Sequence, residues 1–136
     1  MSNNLFHTQA LSKYGDKRGS LVVAEFGIGC PFPIHRVYWL FGTVAGVSRG
    51  FHAHVKTRQL AVCVSGACSL LMDDGHNRKT VRLDSPEKAL LIEPMVWHEM
   101  HDFTPDSVLL VMADAPYEES DYIRDYDRFV QLMGKK

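Results

Sequence analysis

Between Ile34 and Asp114 the chain is cut into short runs rich in β-branched and aromatic residues, and this segmentation is its strongest constraint on folding. IHRVYWLFGT, RQLAVCV, ACSLLMD, KTVRLD, KALLIEP, VWHEMHDF and SVLLVMAD follow one another. Between them stand turn formers such as Ser65-Gly66, Asp73-Asp74-Gly75, SPE, Pro94 and TPDS. Short strands with regular turn signals predict an all-β barrel or sandwich and exclude a doubly wound parallel sheet. SLVVAEF (20–26) adds a strand upstream, closed by GIGCPFP. Both Ser65-Gly66 and Asp73-Asp74-Gly75 have the chemistry of tight hairpin turns. Only the end changes period: in ESDYIRDYDRFVQLM, Tyr122, Tyr126 and Phe129 recur at helical spacing, which predicts an amphipathic helix capped by Ser120, with Asp121 in its first turn and the aromatic stripe docked on the barrel.

Within the strand pattern, GVSRGFHAHVKTRQLAVCVSG (46–66) places His52 and His54 two residues apart. Side chains so spaced on a strand share a face, so two imidazoles converge in an apolar setting, as a site requires. By the same alternation Arg36 and Tyr38 share a face. His7, His35 and His76 stand alone and read as ordinary surface or structural histidines, and Trp39 and Trp97 read first as core, with stacking on a planar or sugar ligand as the alternative.

The 136 residues suit one compact domain, 1–136, without an interdomain linker or repeat. A net charge of -1 provides no global field for nucleic acid, so any anionic ligand must meet a local basic cluster. The N-terminus lacks a leader's basic-then-apolar layout and no stretch is long enough to span a bilayer, which points to a cytoplasmic protein without a membrane partner. Three cysteines without a CxxC fit a reducing compartment. A hairpin at Ser65-Gly66 would set Cys63 opposite Cys68, the favoured reading being two reduced thiols.

The spacing from Gly46 through His52-Ala53-His54 and Gln59 to Gly66 resembles the first cupin motif, with glutamine where a metal-binding glutamate is usual. EPMVWH (93–98) resembles the second motif loosely. More specifically, RVYWLFG, RGFHAH, AVCVSGACSLLMDDG, LDSP, EPMVWHEMHDF and YEESDYIRDYDRF, in this order from Arg18 to Phe129, resemble the sugar 3,4-ketoisomerases acting on dTDP-4-keto-6-deoxyglucose. The resemblance implies a cupin-type jelly-roll β-barrel with a C-terminal α-helix, working as a homodimer with exchanged strands. It implies His52 as catalytic base, His98 as second proton carrier and Tyr38 as an active-site hydrogen-bond donor. Arg49, Arg36, His54, Arg18 and Gln59 are the expected substrate-binding residues, and no metal or other cofactor is expected.

These residue types suit the reaction. Moving a ketone from C4 to C3 through an enediol needs a base, a proton donor and donors to the developing oxyanion. Imidazole, with an ordinary pKa of about 6.5, holds both protonation states near neutrality. Arginine forks match a diphosphate. His52, His54 and His98 could also ligate a metal, but neutral Gln59 offers no charge to balance a divalent ion. By resemblance, Arg18 and His98 lean to dTDP-3-keto-6-deoxygalactose, a precursor of aminated 6-deoxygalactose for surface polysaccharide. The alternatives are a gluco-configured product, a metal-dependent cupin oxygenase and a non-catalytic sugar-nucleotide-binding cupin.

Overall fold

The computed structural model describes residues 7–134; the ends of the expected domain 1–136, and the first residues of the N-terminal stretch read for a leader, lie outside the described residues. Along the chain run β1 (His7–Ala10), β2 (Ser12–Asp16), β3 (Gly19–Val23), β4 (Glu25–Phe26), β5 (Gly29–Cys30), β6 (Arg36–Leu40), β7 (Arg49–His54) and β8 (Gln59–Ser65). There follow β9 (Cys68–Asp73), β10 (Arg78–Leu83), β11 (Lys88–Ile92), β12 (Trp97–His101), β13 (Val108–Ala113), a 3₁₀ turn (Glu119–Asp121), β14 (Tyr122–Ile123) and α1 (Tyr126–Gly134). One five-stranded sheet has the order β1-β11-β8-β13-β6 and the other β10-β9-β12-β7-β14. This is the jelly-roll architecture expected, with the two sheets packed face to face; among the described residues, hydrogen bonding does not run on from one to the other.

Period-two alternation explains the layers. Ala61 and Cys63 of β8, Leu90 and Ile92 of β11, and Leu109 and Val111 of β13 form one core with Cys68, Leu70 and Met72 of β9, Leu83 of β10 and Met100 of β12. The intervening residues Leu60, Val62, Ala89, Leu91 and Met112 face the other way and pack with Leu11, Cys30 and Phe32. β8 is therefore buried on both faces, which is why its sequence reads as a continuous apolar run. Each leucine buried completely in such a core contributes roughly 1.5–3 kcal/mol of transfer free energy. Among the described residues, no helix is long and apolar enough to cross a membrane.

Two local expectations are corrected. Asp73-Asp74-Gly75 does close a hairpin, β9 to β10, with Asp74 Oδ1 accepting from the amides of His76 and Asn77 at 2.9 and 2.7 Å. Ser65-Gly66 does not: β8 pairs with β11 and β13, whereas β9 pairs with β10 and β12. Gly66 (φ 66°) is a corner where the chain leaves one sheet for the other, because both strands present apolar side chains to the space between the sheets. Cys63 and Cys68 thus meet across the core and not across a hairpin, and both are free thiols. The corner is tied by the Ala67 amide donating to Thr104 Oγ1 at 2.9 Å and the Thr104 amide donating to the Ala67 carbonyl at 2.9 Å.

The helix begins at Tyr126, not after Ser120. Asp125 takes the capping place, its Oδ1 accepting from the Asp127 amide at 3.3 Å and its carbonyl from the Phe129 amide at 3.0 Å. The segment before it is drawn into strand pairing, Tyr122 opposite His54 and Ile123 opposite Ala53. Tyr126 and Phe129 dock as expected, against Trp97. Tyr122 does not dock with them.

A side chain at Gly66 would place its Cβ 2.9 Å from Ser107 Cα while φ is positive. Gly66→Ala is expected to lower stability by roughly 1–3 kcal/mol, combining left-handed strain with the clash. Urea denaturation checks this, and a midpoint equal to wild type would refute the corner's role.

Candidate active site

At one end of the sandwich, β7 and β12 pair irregularly. His52 lies opposite His98 and Gly50 opposite Glu99, so Phe51 is an extra residue bulged out of β7. Gly50 (φ 92°) and Phe51 (φ 61°) both take the left-handed conformation, a costly one for an aromatic residue. A Cβ on Gly50 would lie 3.1 Å from the His98 carbonyl oxygen, so only glycine lets the strands approach here. The bulge leaves Phe51 exposed and turns His52 inward, toward His98 on the next strand.

Three imidazoles meet there. His52 and His98 have ring centroids 4.6 Å apart, His52 and His54 5.1 Å, and His54 and His98 5.9 Å, the last pair nearly parallel. Each is held through Nδ1: His52 to the Gly50 carbonyl at 3.1 Å, His98 to the Val96 carbonyl at 3.2 Å and His54 to Asp121 Oδ2 at 3.0 Å. These partners accept, so Nδ1 carries the proton on all three rings and Nε2 keeps a lone pair. All three Nε2 atoms are buried and make no hydrogen bond to protein. Burial, reinforced by the neighbouring His54, pushes His52 down to about 4, and burial with His52 beside it pushes His98 down to about 3. His54 is also lowered by burial, with Asp121 opposing the shift. At neutral pH the cluster is uncharged.

Over it opens a cleft of about 560 Å³ lined by His52, Tyr38, Tyr122 and Gly50 at its floor and by Arg36, Arg49, Arg124, Trp39, Phe41 and Tyr117 on its walls. Tyr38 donates to Gln59 Oε1 at 2.8 Å, and burial pushes its phenol up, so it remains a hydrogen-bond donor. Arg36 lies over the Tyr38 ring at 5.4 Å, and Arg124 over the Tyr122 ring at 4.3 Å while pairing with Glu119 at 2.8 Å. A neutral floor under a cationic, aromatic wall suits a polar, uncharged reacting group joined to an anionic, planar handle.

Of the expected site residues, His52, Tyr38, Arg36 and Arg49 line the cleft. His54, His98 and Gln59 sit beneath it, fully or almost fully buried. Arg18 is elsewhere: at the tip of the β2–β3 hairpin, 87% exposed and paired with Asp16 at 2.6 Å. Within one chain it is not part of this site. Arg124 and Tyr117 carry no signal in the sequence that marks them for the site, Tyr122 reads there as part of the docked aromatic stripe and Asp121 only as a first-turn residue of the helix. Of the two tryptophans, read first as core with ligand stacking as the alternative, Trp39 stands exposed on the cleft wall and Trp97 is buried beneath α1.

A metal is the group that a cupin-like arrangement implies. One ring nitrogen from each of His52, His54 and His98 lies within 4.8 Å of the others, close enough to converge on an ion. The fourth donor fits poorly, since Gln59 Oε1 is engaged by Tyr38 and carries no charge to offset a dication.

Comparison with known proteins agrees with this geometry. Residues 4–134 match the family described as FdtA: WxcM-like, C-terminal. The chain is 48% identical over 120 residues, 88% of this chain and 86% of the relative, to a TDP-4-oxo-6-deoxy-alpha-D-glucose-3,4-oxoisomerase from Aneurinibacillus thermoaerophilus. Its structure is similar to two forms of the 3,4-ketoisomerase QdtA from Thermoanaerobacterium thermosaccharolyticum. One is a histidine-to-asparagine mutant in complex with TDP-4-keto-6-deoxyglucose (TM-score 0.95, 34% identity, covering 99% of this chain and 98% of that one). The other is a double mutant, tyrosine to arginine and arginine to histidine, in complex with TDP (TM-score 0.94, 36% identity, covering 98% and 97%).

The buried neutral histidines make stability depend on pH. In the unfolded chain each imidazole titrates near 6.5, but His52 and His98 resist protonation down to about 4 and 3 when folded. The unfolded chain therefore binds more protons as pH falls below 6.5. The histidine contribution is complete above that pH and is lost progressively toward pH 4 and 3. The melting temperature is expected to fall between pH 7 and pH 5, with a shallower fall in His98→Gln. Equal slopes in the two proteins would contradict the assignment.

Proposed function

The chain belongs to the WxcM-like, C-terminal family, and on that premise we propose that it is an isomerase moving the ketone of dTDP-4-keto-6-deoxyglucose from C4 to C3. The observation that carries the reading is His52: an uncharged imidazole at the floor of the cleft with an unengaged Nε2, beside a protonated phenol. His52 takes the proton from C3. The C3–H electron pair becomes the C3–C4 double bond, and the carbonyl π pair moves to O4, which gains a proton to give the enediol. The reverse sequence from the other side releases the O3 proton as the C3 carbonyl forms and returns a proton to C4. Atoms and electrons balance within the sugar, so no redox cofactor is required. When substrate binds, Tyr38 turns its single O–H from Gln59 Oε1 to the oxygen on which charge develops. His98, packed behind His52, exchanges protons through it.

We assign the diphosphate to Arg49, Arg36 and Arg124 and the nucleotide base to Trp39, Phe41 and Tyr117, a reading supported by their lining the same cleft. The chemistry asks for no metal, and Gln59 in place of a carboxylate supports metal-independent catalysis. A cytoplasmic location follows from a sugar-nucleotide substrate. We place the product in the galacto series, for aminated deoxysugars of surface polysaccharide, on Arg18 and His98. Arginine and histidine are also the residues introduced in the double mutant of the related enzyme. We further propose a homodimer with exchanged strands and a single domain over 1–136. The β2–β3 hairpin has no buried residue, and Tyr14 and Leu21 on it are exposed apolar groups. Such an arm laid on a partner would give Arg18 a role it lacks within one chain.

Incubation with dTDP-4-keto-6-deoxyglucose, read by NMR, is expected to give the 3-keto product with an axial C4 hydroxyl, and no product at all would refute the reading. His52→Asn is expected to lose C3 proton exchange into deuterated water by about 10³-fold with TDP binding kept. A stoichiometric ion whose removal abolishes turnover would instead favour the metal-dependent alternative.

The acid limb of kcat/KM is set by His52. Because protonation removes the base, kcat/KM is expected to be flat from pH 8 to about 5 and to fall below that with an apparent pKa near 4. A limb at the ordinary imidazole value would assign the proton transfer to a less buried group.

A further inference from the structure

Asp121 is the buried carboxylate that touches the histidine cluster. The chain brings it there by an unusual route. After β13 it returns along the site, makes the 3₁₀ turn Glu119–Asp121 and adds Tyr122–Ile123 to the edge of β7. The Val55 amide donates to the Asp121 carbonyl at 2.8 Å, which fixes the turn against the histidine strand. The side chain then accepts three hydrogen bonds: from His54 Nδ1 at 3.0 Å, from the Lys56 amide at 2.8 Å and from the Thr57 hydroxyl. Burial works against a charge here, but those three donors together hold the carboxyl below its usual range, so Asp121 is ionised. Its side chain is 3% exposed and that of His54 2%.

Among the three imidazoles His54 is thus distinct. His52 and His98 lean on backbone carbonyls, whereas His54 leans on a full negative charge. The carboxylate can only accept, so it admits one tautomer of His54 and turns the Nε2 lone pair toward the other rings. A carboxylate so placed orients an imidazole and stabilises positive charge on or beside it.

Resting on the ketoisomerase reading, we propose that Asp121 is a positioning residue of the reaction: through His54 it provides the buried counter-charge for the proton that His52 takes from C3. When His52 gains that proton, a cation appears inside a cluster that is otherwise uncharged and desolvated. His54, with its lone pair directed at the cluster and Asp121 behind it, takes a share of that charge. The positive charge is thereby stabilised inside the site while the sugar is in its enediol form. His54 does not line the cleft, so the pair acts through His52 and not on the sugar.

The test is Asp121→Asn, whose amide fits the same space but offers a donor that can reverse the His54 tautomer. A kcat lower by about 10²-fold or more is expected. KM and the dissociation constant of TDP should stay within about threefold of wild type, and Asp121→Glu should recover part of the loss. ¹⁵N NMR of the imidazoles is expected to show His54 protonated at Nδ1 in wild type and at Nε2 in the asparagine variant. A kcat within threefold of wild type overturns the proposal. So does a parallel loss of TDP affinity, which would make Asp121 a strut of the cleft. If the variants do not fold, the wild-type spectrum decides: Nδ1 protonation of His54 supports the proposal and Nε2 protonation overturns it. Should wild type itself neither turn over the keto sugar nor exchange its C3 proton, the ketoisomerase reading fails, and the tautomer of His54 is still measured independently.

Discussion

Three imidazoles buried together without charge are the constraint from which the rest of this structure follows. Each ring has two nitrogens, and in an apolar interior each polar atom needs a partner or costs free energy. The fold supplies a partner to one nitrogen of each ring, the Gly50 and Val96 carbonyls and the Asp121 carboxylate, and leaves the other with an unengaged lone pair. Desolvation then keeps the rings neutral, since a positive charge on one would be poorly solvated by the core around it and a second charge beside it would be repelled. The result is a set of bases that are fully available at neutral pH, at some cost to stability in acid.

Holding them there explains features that packing alone does not. The bulge at Phe51, with two consecutive left-handed residues, is a poor way to build a strand but lets β7 turn His52 toward His98. The 3₁₀ turn and the two-residue strand β14 are poor ways to start a helix, yet they deliver Asp121 below the cluster and Tyr122 above it. Local rules are broken where the chemistry sits and obeyed at the hairpin of Asp74 and the cap of Asp125.

The same contrast decides what was legible in the sequence. The strands from β6 to β13 were readable because alternation and turn residues are local signals, and the sharing of faces by His52 with His54 and by Arg36 with Tyr38 follows from period two alone. The sheet to which each strand belongs was not local information. Ser65-Gly66 has the residues of a hairpin turn, and only the two apolar faces that must be buried send β8 and β9 into different sheets. Asp121, Tyr122 and Arg124 were hidden for a similar reason. ESDYIRDYDRF has helical spacing, and the pairing of Tyr122–Ile123 with β7 overrides that propensity. Arg18 was carried over by resemblance, and nothing within a single chain brings the hairpin tip to the cleft.

The division of charge across the site follows from these placements. Arg49 and Arg124 stand exposed on the wall of the cleft, where solvent moderates the cost of a cation, Arg36 is half-buried over the Tyr38 ring, and the histidines below are neutral. A substrate anchored by its anionic end is thereby held with its uncharged end against His52. The guanidinium groups nearby disfavour protonation of the histidines, as Arg124 does for His52 and Arg36 for His54. Binding charge and basic lone pairs reinforce each other only while they remain on separate layers. A cation moved to the floor would compete with the proton the reaction must receive, and a neutral wall would leave the sugar without an anchor. Asp121 completes the arrangement from below: it lies on the far side of His54 from the cleft, where its charge reaches the cluster without repelling an anionic substrate at the wall.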